Sequence, residues 1–177
     1  MPAVGHPRTE ESPVKYIILF LMLLLLLTAT FSGATDSVEA PKSCTQCGMD
    51  RSMFAQSRML VVYADGTAVG VCSLHCAAAE LHYKDKQVSS LMVADYATKK
   101  LIDARSAVWV VGGRKSGVMT ARAKWAFGSA EEARRFVVEN GGTVSTFDQA
   151  MSAATIEVLE QAEEDKTVEN EMLREMR

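Results

Sequence analysis

The hydrophobic positions of the chain fall into short blocks with a period of two, separated by polar punctuation, and one longer block with helical spacing follows each group of strands. Arg58-Met-Leu-Val-Val-Tyr63 is β-branched and aromatic, and predicts a strand. Ala64-Asp65-Gly66-Thr67 carries Asp-Gly at the centre of a hairpin turn, and Ala68-Val-Gly-Val-Cys72 is the return strand. Ser73 can accept a hydrogen bond from the first turn of a helix, so the alanine-rich run from Leu74 to His82 predicts a capped helix. Val88 to Asp95 is a third strand by alternation.

The same order recurs downstream. Ala107-Val-Trp-Val-Val-Gly112 reads as a buried strand, Gly113 to Gly117 as a turn, and Lys124-Trp-Ala-Phe127 as a short return strand after Val118-Met119-Thr120. Gly128-Ser129 with Glu131 and Glu132 opens a helix through Asn140, which Gly141-Gly142 closes before a strand at Thr143-Val-Ser145. The expected fold is therefore α+β, with two tandem ββαβ units at residues 44–104 and 105–150. From Met151 the chain is rich in Ala and Glu, with Ile156 and Leu159 on one stripe, and reads as an amphipathic helix fading into a charged, frayed tail at 151–177.

Ahead of the first unit, Tyr16 to Leu27 is continuously apolar, with Arg8 and Lys15 before it and Ser32-Gly33-Ala34 after it. Charged, apolar and small-residue segments in that order mark residues 1–34 as an export signal, or as a membrane anchor where cleavage does not occur. Residues 35–43, with Pro41 among polar neighbours, form a linker. Both versions of the N-terminus place the remainder outside the cytoplasm, in the periplasm or tethered to its membrane.

Charge excludes one class of partner. The net charge is −3, and removing the first 34 residues takes away two basic and two acidic side chains, so no basic excess argues for nucleic acid.

All four cysteines lie in two short segments, Cys44-Thr-Gln-Cys47-Gly-Met49 and Cys72-Ser-Leu-His75-Cys76, with 24 residues between them. A C-x2-C knuckle turns two sulfurs toward one point, and cysteines four apart across a helix start project from one face, so the pairs can converge on a metal ion. The soft or borderline donors Met49 and His75 beside them point beyond a plain zinc knuckle to Cu(I), which thiolates and thioethers select. In an oxidising compartment the same four residues could instead form disulfides, or alternate between oxidised and metal-loaded states. Met119 lies in a Gly-rich loop from which a flexible thioether could reach a metal held elsewhere, although methionine more commonly packs in a core.

Cys-x-x-Cys-Gly-Met, the Val-Cys-Ser-x-x-Cys strand-to-helix junction, Trp109-Val-Val-Gly-Gly, Gly117-Val-Met-Thr, Lys124-Trp-Ala-Phe and Glu139-Asn-Gly-Gly together resemble the NosL family of copper-binding accessory proteins for nitrous oxide reductase, from about Cys44 to Ala150. That resemblance implies two ββαβ units and Cu(I) binding outside the cytoplasm. It implies ligation by a cysteine near the mature N-terminus, here Cys44 or Cys47, and by a loop methionine, here Met119. Many members carry a lipid on an N-terminal cysteine, whereas the first cysteine of this chain is Cys44. The Cys72 to Cys76 pair is additional to the minimal family pattern and resembles the Cys-x3-Cys arm of TRASH and YHS metal modules.

The expected function is a non-enzymatic metallochaperone. It would hold Cu(I) through Cys44, Cys47 and Met119, with Cys72, His75, Cys76 and Met49 completing or relaying the site. Its expected partners are a client copper enzyme, nitrous oxide reductase, and the maturation machinery of that enzyme. Two rivals remain: a structural Zn(II) site made by the four cysteines, and a thiol-disulfide oxidoreductase using Cys44 and Cys47. The second lacks the helix pattern directly after the pair that ordinarily activates such a thiol.

Overall fold

In the computed structural model, residue 39 and residues 41–177 are described. The expected signal or anchor at 1–34 and most of the linker lie outside them. The first sheet is antiparallel and four-stranded. Its strands are β1 (Met59–Tyr63), β2 (Ala68–Val71), β3 (Val88–Ala94) and β4 (Leu101–Asp103), in the order β2-β1-β3-β4. Strand β1 is central because alternate residues Met59, Val61 and Tyr63 are buried while Leu60 and Val62 are half-buried, the period-two signature of a strand with one face on the core. Helix α1 (Leu74–Tyr83) follows β2 directly, capped by Ser73, whose hydroxyl accepts from the Cys76 N–H.

The second sheet has the order β6-β5-β7, from β5 (Val108–Val111), β6 (Lys124–Phe127) and β7 (Thr143–Ser145). Helix α2 (Ala130–Asn140) packs on it through Ala133 and Phe136. Among the described residues the fold is thus mixed α and β, with two antiparallel sheets and three helices. Strand β4 is an element the alternation did not predict. At three residues it is too short to show a period, and it exists through pairing with β3, Val93 opposite Ile102.

Helix α3 (Phe147–Glu175) corrects the expectation of a fraying tail, since it runs unbroken for 29 residues. Thr146 and Gln149 form a reciprocal capping box at its start, and the Ala, Glu, Met and Leu that follow are strong helix formers. Phe147, Ala150, Ala154 and Val158 form its buried stripe, and α1 is its principal neighbour.

Two joints hold the halves of the molecule to each other. Asp95, at the end of β3, accepts from the backbone and hydroxyl of Thr98 at 2.9 and 2.6 Å and from the Gly128 N–H at 3.1 Å, just beyond β6. Tyr96 donates its N–H to Ala126 and packs its ring edge-on against Trp125 and Phe136, with centroids 5.1 and 4.9 Å apart. Backbones meet closely at Gly113, with φ +97°, where a Cβ would stand 2.8 Å from the Asn140 carbonyl oxygen and 2.9 Å from that of Gly141. Only glycine fits there.

Candidate metal centre

The knuckle is a tight loop stapled to the edge of the first sheet. The Cys44 N–H donates to the Met49 carbonyl at 2.8 Å, the Gly48 N–H to the Cys44 carbonyl at 2.9 Å, and Gly48 takes φ +76° to turn the chain. An isolated bridge pairs Ser43 with Asp50, and the Thr45 N–H donates to the Gly70 carbonyl of β2 at 3.0 Å. The loop is therefore registered against the strand that delivers Cys72.

Arg51 fixes that register from beneath. It is completely buried, and its guanidinium donates to the carbonyls of Val71 at 3.2 Å, Met59 at 2.9 Å, Glu39 at 2.8 Å and Pro41 at 2.5 Å, and to the Glu39 carboxylate. Arg58 pairs with the same carboxylate at 3.1 Å. Such a buried cation is tolerated because its N–H groups are met by oxygens. Burial raises the Glu39 carboxyl, but the Arg58 hydrogen bond and the two positive charges outweigh it and leave the group below its ordinary value. The guanidinium lies directly on Gly70, where a Cβ would meet Arg51 atoms at 2.3 to 2.8 Å.

From the helix side, Glu80 reaches the knuckle. It is buried, accepts from the Tyr63 hydroxyl at 2.7 Å and accepts from the Gln46 side-chain amide. Arg51, Glu39 and Glu80 escaped the sequence reading. The available signal was an acid one helical turn after Cys76, on a face otherwise made of alanine, and the sequence did not say that a tyrosine stood opposite it.

These supports bring the four sulfurs together. The Sγ atoms of Cys44, Cys47, Cys72 and Cys76 all lie within 4.8 Å of one another, with Cys47 to Cys72 at 3.5 Å and Cys72 to Cys76 at 3.6 Å. No disulfide joins them. A tetrahedral ion with metal–sulfur bonds of about 2.3 Å separates its sulfurs by about 3.8 Å, so the spacing suits a single thiolate-bound ion. Cys44, Cys72 and Cys76 are buried, whereas Cys47 is half-buried and forms the solvent side of the cluster.

The thiols share their charge unequally. The neighbouring thiols of Cys72 and Cys76 and the backbone N–H groups of Cys47 and Gln46 hold the Cys44 thiol far below the usual range. Its negative sulfur pushes Cys72 up to about 12 and Cys76 higher still, with burial adding to both. An arriving cation displaces the thiol protons.

Of the other expected ligands, His75 and Met119 line a cleft without described cysteines, and Met49 packs beside the knuckle. Met49 is half-buried against the core and closes the knuckle through its carbonyl. His75 and Met119 line a separate cleft with Thr120, Ala121, Glu157, Glu160, Gln161 and Glu164, and no described cysteine lines it. Met119 is exposed and has φ +57°, a left-handed conformation uncommon outside glycine. His75 is buried with Nδ1 unpartnered. Burial lowers its imidazole against the opposing pull of Glu157, so it is held in the neutral, metal-ligating form.

Comparison with known proteins matches this arrangement to a family. The NosL family model matches residues 35–155. The chain is 28% identical over 125 residues to the HTH-type transcriptional repressor CutR of Bacillus subtilis strain 168, an alignment covering 69% of this chain and 65% of that protein. The chain thus spans just under two thirds of the length of the curated relative it matches. The fold is similar to the crystal structure of the copper chaperone NosL from Shewanella denitrificans, with a TM-score of 0.52 and 20% identity over 64% of this chain and 92% of that one. With the model match running across both sheets and the thiol cluster, the chain belongs to the NosL family.

Proposed function

We propose that this protein is an extracytoplasmic Cu(I) chaperone that holds copper on its cysteine cluster and passes it to a client copper enzyme, nitrous oxide reductase, with that enzyme's maturation machinery as partner. The observation that carries the reading is the set of four reduced sulfurs within 4.8 Å, three buried and one, Cys47, reaching solvent. Thiolates select Cu(I), and a site with one accessible sulfur lets an incoming ligand bind before the last outgoing one leaves. The copper chaperone with a similar fold, and the family shared with it, support the same cargo. The apolar run at residues 16–27 supports export or tethering.

The protein's own residues supply holding and release rather than catalysis. Cys47, on the solvent side, is the first sulfur to meet the ion, and Cys44, Cys72 and Cys76 close behind it as their protons leave. Met119, exposed on its loop, offers a thioether to the ion on its way to the partner. A thiol-disulfide oxidoreductase is disfavoured, because Cys44 and Cys47 sit in a turn with no helix following them.

A second reading has a specific observation behind it: four cysteine sulfurs at near-tetrahedral spacing also suit structural Zn(II). Transfer kinetics separate the two. Cu(I) leaving the loaded protein for a chelating acceptor should slow severalfold in Cys47→Ser relative to wild type. Equal rates would remove Cys47 as the exchange position.

A further inference from the structure

Of the four cysteines, three are sealed. Cys44, Cys72 and Cys76 are 3%, 0% and 2% exposed, and only Cys47 is half-buried. The Cys47 Sγ lies 3.5 Å from that of Cys72, with no bond between them. A disulfide brings two sulfurs to about 2.0 Å, so this pair has to close by about 1.5 Å, within reach of a side-chain rotation. Cys72 and Cys76 are nearly as close, at 3.6 Å. Burial keeps both of those from a reagent in solution, however, and the Ser73 cap on the Cys76 N–H holds that residue in the first turn of α1. Cys47 is therefore the thiol an oxidant meets first, and Cys72 is the partner within reach of it.

We infer that Cys47 and Cys72 form a redox switch on the metal site: a small-molecule disulfide oxidises this pair to an intramolecular disulfide and so closes the cluster to metal. The step is thiol–disulfide exchange, for which the thiolate is the nucleophile. The Cys47 sulfur, its proton given to solvent, attacks one sulfur of the oxidant, whose other sulfur leaves as a thiolate and takes up a proton. Cys72 then loses its own proton and attacks Cys47 Sγ, which expels the second thiol. Two protein thiols are oxidised, and the oxidant is reduced to two thiols.

The consequence for metal follows from which sulfurs are consumed. Cys44 and Cys76 stay reduced but buried, while the solvent-side sulfur and its nearest neighbour are both lost as ligands. An ion already bound would occupy the same two sulfurs, so metal and disulfide exclude each other. That exclusion rests on the proposal that the cluster holds Cu(I); the choice of pair does not.

The test treats the metal-free, reduced full chain with glutathione disulfide, alkylates the remaining thiols and maps the bonds by peptide mass spectrometry without reduction. The expected product has one bond, between Cys47 and Cys72, with Cys44 and Cys76 alkylated. Its Cu(I) uptake against a chelator should be at least tenfold weaker, and a reductant should restore it. In Cys72→Ser the reaction should stop with glutathione held on Cys47. Four alkylated cysteines, glutathione retained on wild-type Cys47, a bond between any other pair, or oxidised protein that binds Cu(I) as tightly as reduced would each overturn the switch. Reduced protein that takes up no Cu(I) would overturn the carrier reading instead, and the bond map would still decide the pair.

Discussion

The residues that place the cysteine knuckle are Arg51 and Glu80 rather than any ligand. Glu80 holds the knuckle to α1 and Tyr63 through two hydrogen bonds. Replacing it with alanine strands the buried Tyr63 hydroxyl and frees Gln46, a loss of about 1–3 kcal/mol for a buried donor left unsatisfied. Glu80→Ala should therefore lower the thermal midpoint and, in the folded fraction, weaken Cu(I) binding. A fall in stability with unchanged affinity would detach Glu80 from the site. Gly70→Ala makes a sharper test, because the added methyl overlaps the Arg51 guanidinium while leaving all four sulfurs in the chain. It should destabilise by about 1–3 kcal/mol, as overpacking does, and speed metal release. Chemical denaturation and metal off-rates measure the two effects.

At the scale of elements, the joint at Asp95 ties stability to pH. Burial raises its carboxyl, but hydrogen bonds from Thr98 and the Gly128 N–H outweigh it, and the folded-state value lies below the ordinary one. A depressed carboxyl contributes stability that is complete above the unfolded pKa of about 3.9 and is lost as pH falls through the lower folded value. Asp95→Asn should accordingly be less stable than wild type at pH 7, with the difference closing below about pH 4. A constant gap down to pH 2 would show that the charge is irrelevant. Helix α3 makes a second prediction. Thr146→Ala removes the capping box and should cost about 1 kcal/mol, whereas deleting residues 167–177, beyond the last buried residue Val158, should leave the thermal midpoint nearly unchanged.

What the sequence made readable follows from how local each signal is. Strand β1 announced itself because Met59, Val61 and Tyr63 bury one face, and α1 because Ser73 and the alanines after Leu74 state its start and body. The convergence of Cys44 and Cys47 with Cys72 and Cys76 was legible for the same reason: a knuckle and a strand-to-helix junction are short-range geometries. Strand β4 needed a partner strand to exist. The cleft around His75 needed α3, whose Glu157 to Glu164 stand more than 80 residues away in the chain. Nothing near His75 says that a helix of acids closes over it, so His75 read as a neighbour of the cysteines when it faces a different cleft.

For the molecule as a whole, the apolar core extends through both sheets and includes the buried aromatics Trp109, Trp125 and Phe127 well away from the cysteine segments in sequence. Such a core should stand without metal, which distinguishes a carrier from a zinc-stapled fold. The deciding measurement is anaerobic titration of the reduced protein, from Thr35 onward, with Cu(I) and separately with Zn(II) against competing chelators, with circular dichroism followed throughout. The account predicts a folded apo protein and one Cu(I) bound far more tightly than zinc. Secondary structure that forms only when zinc is added would contradict it and make the four cysteines a structural staple.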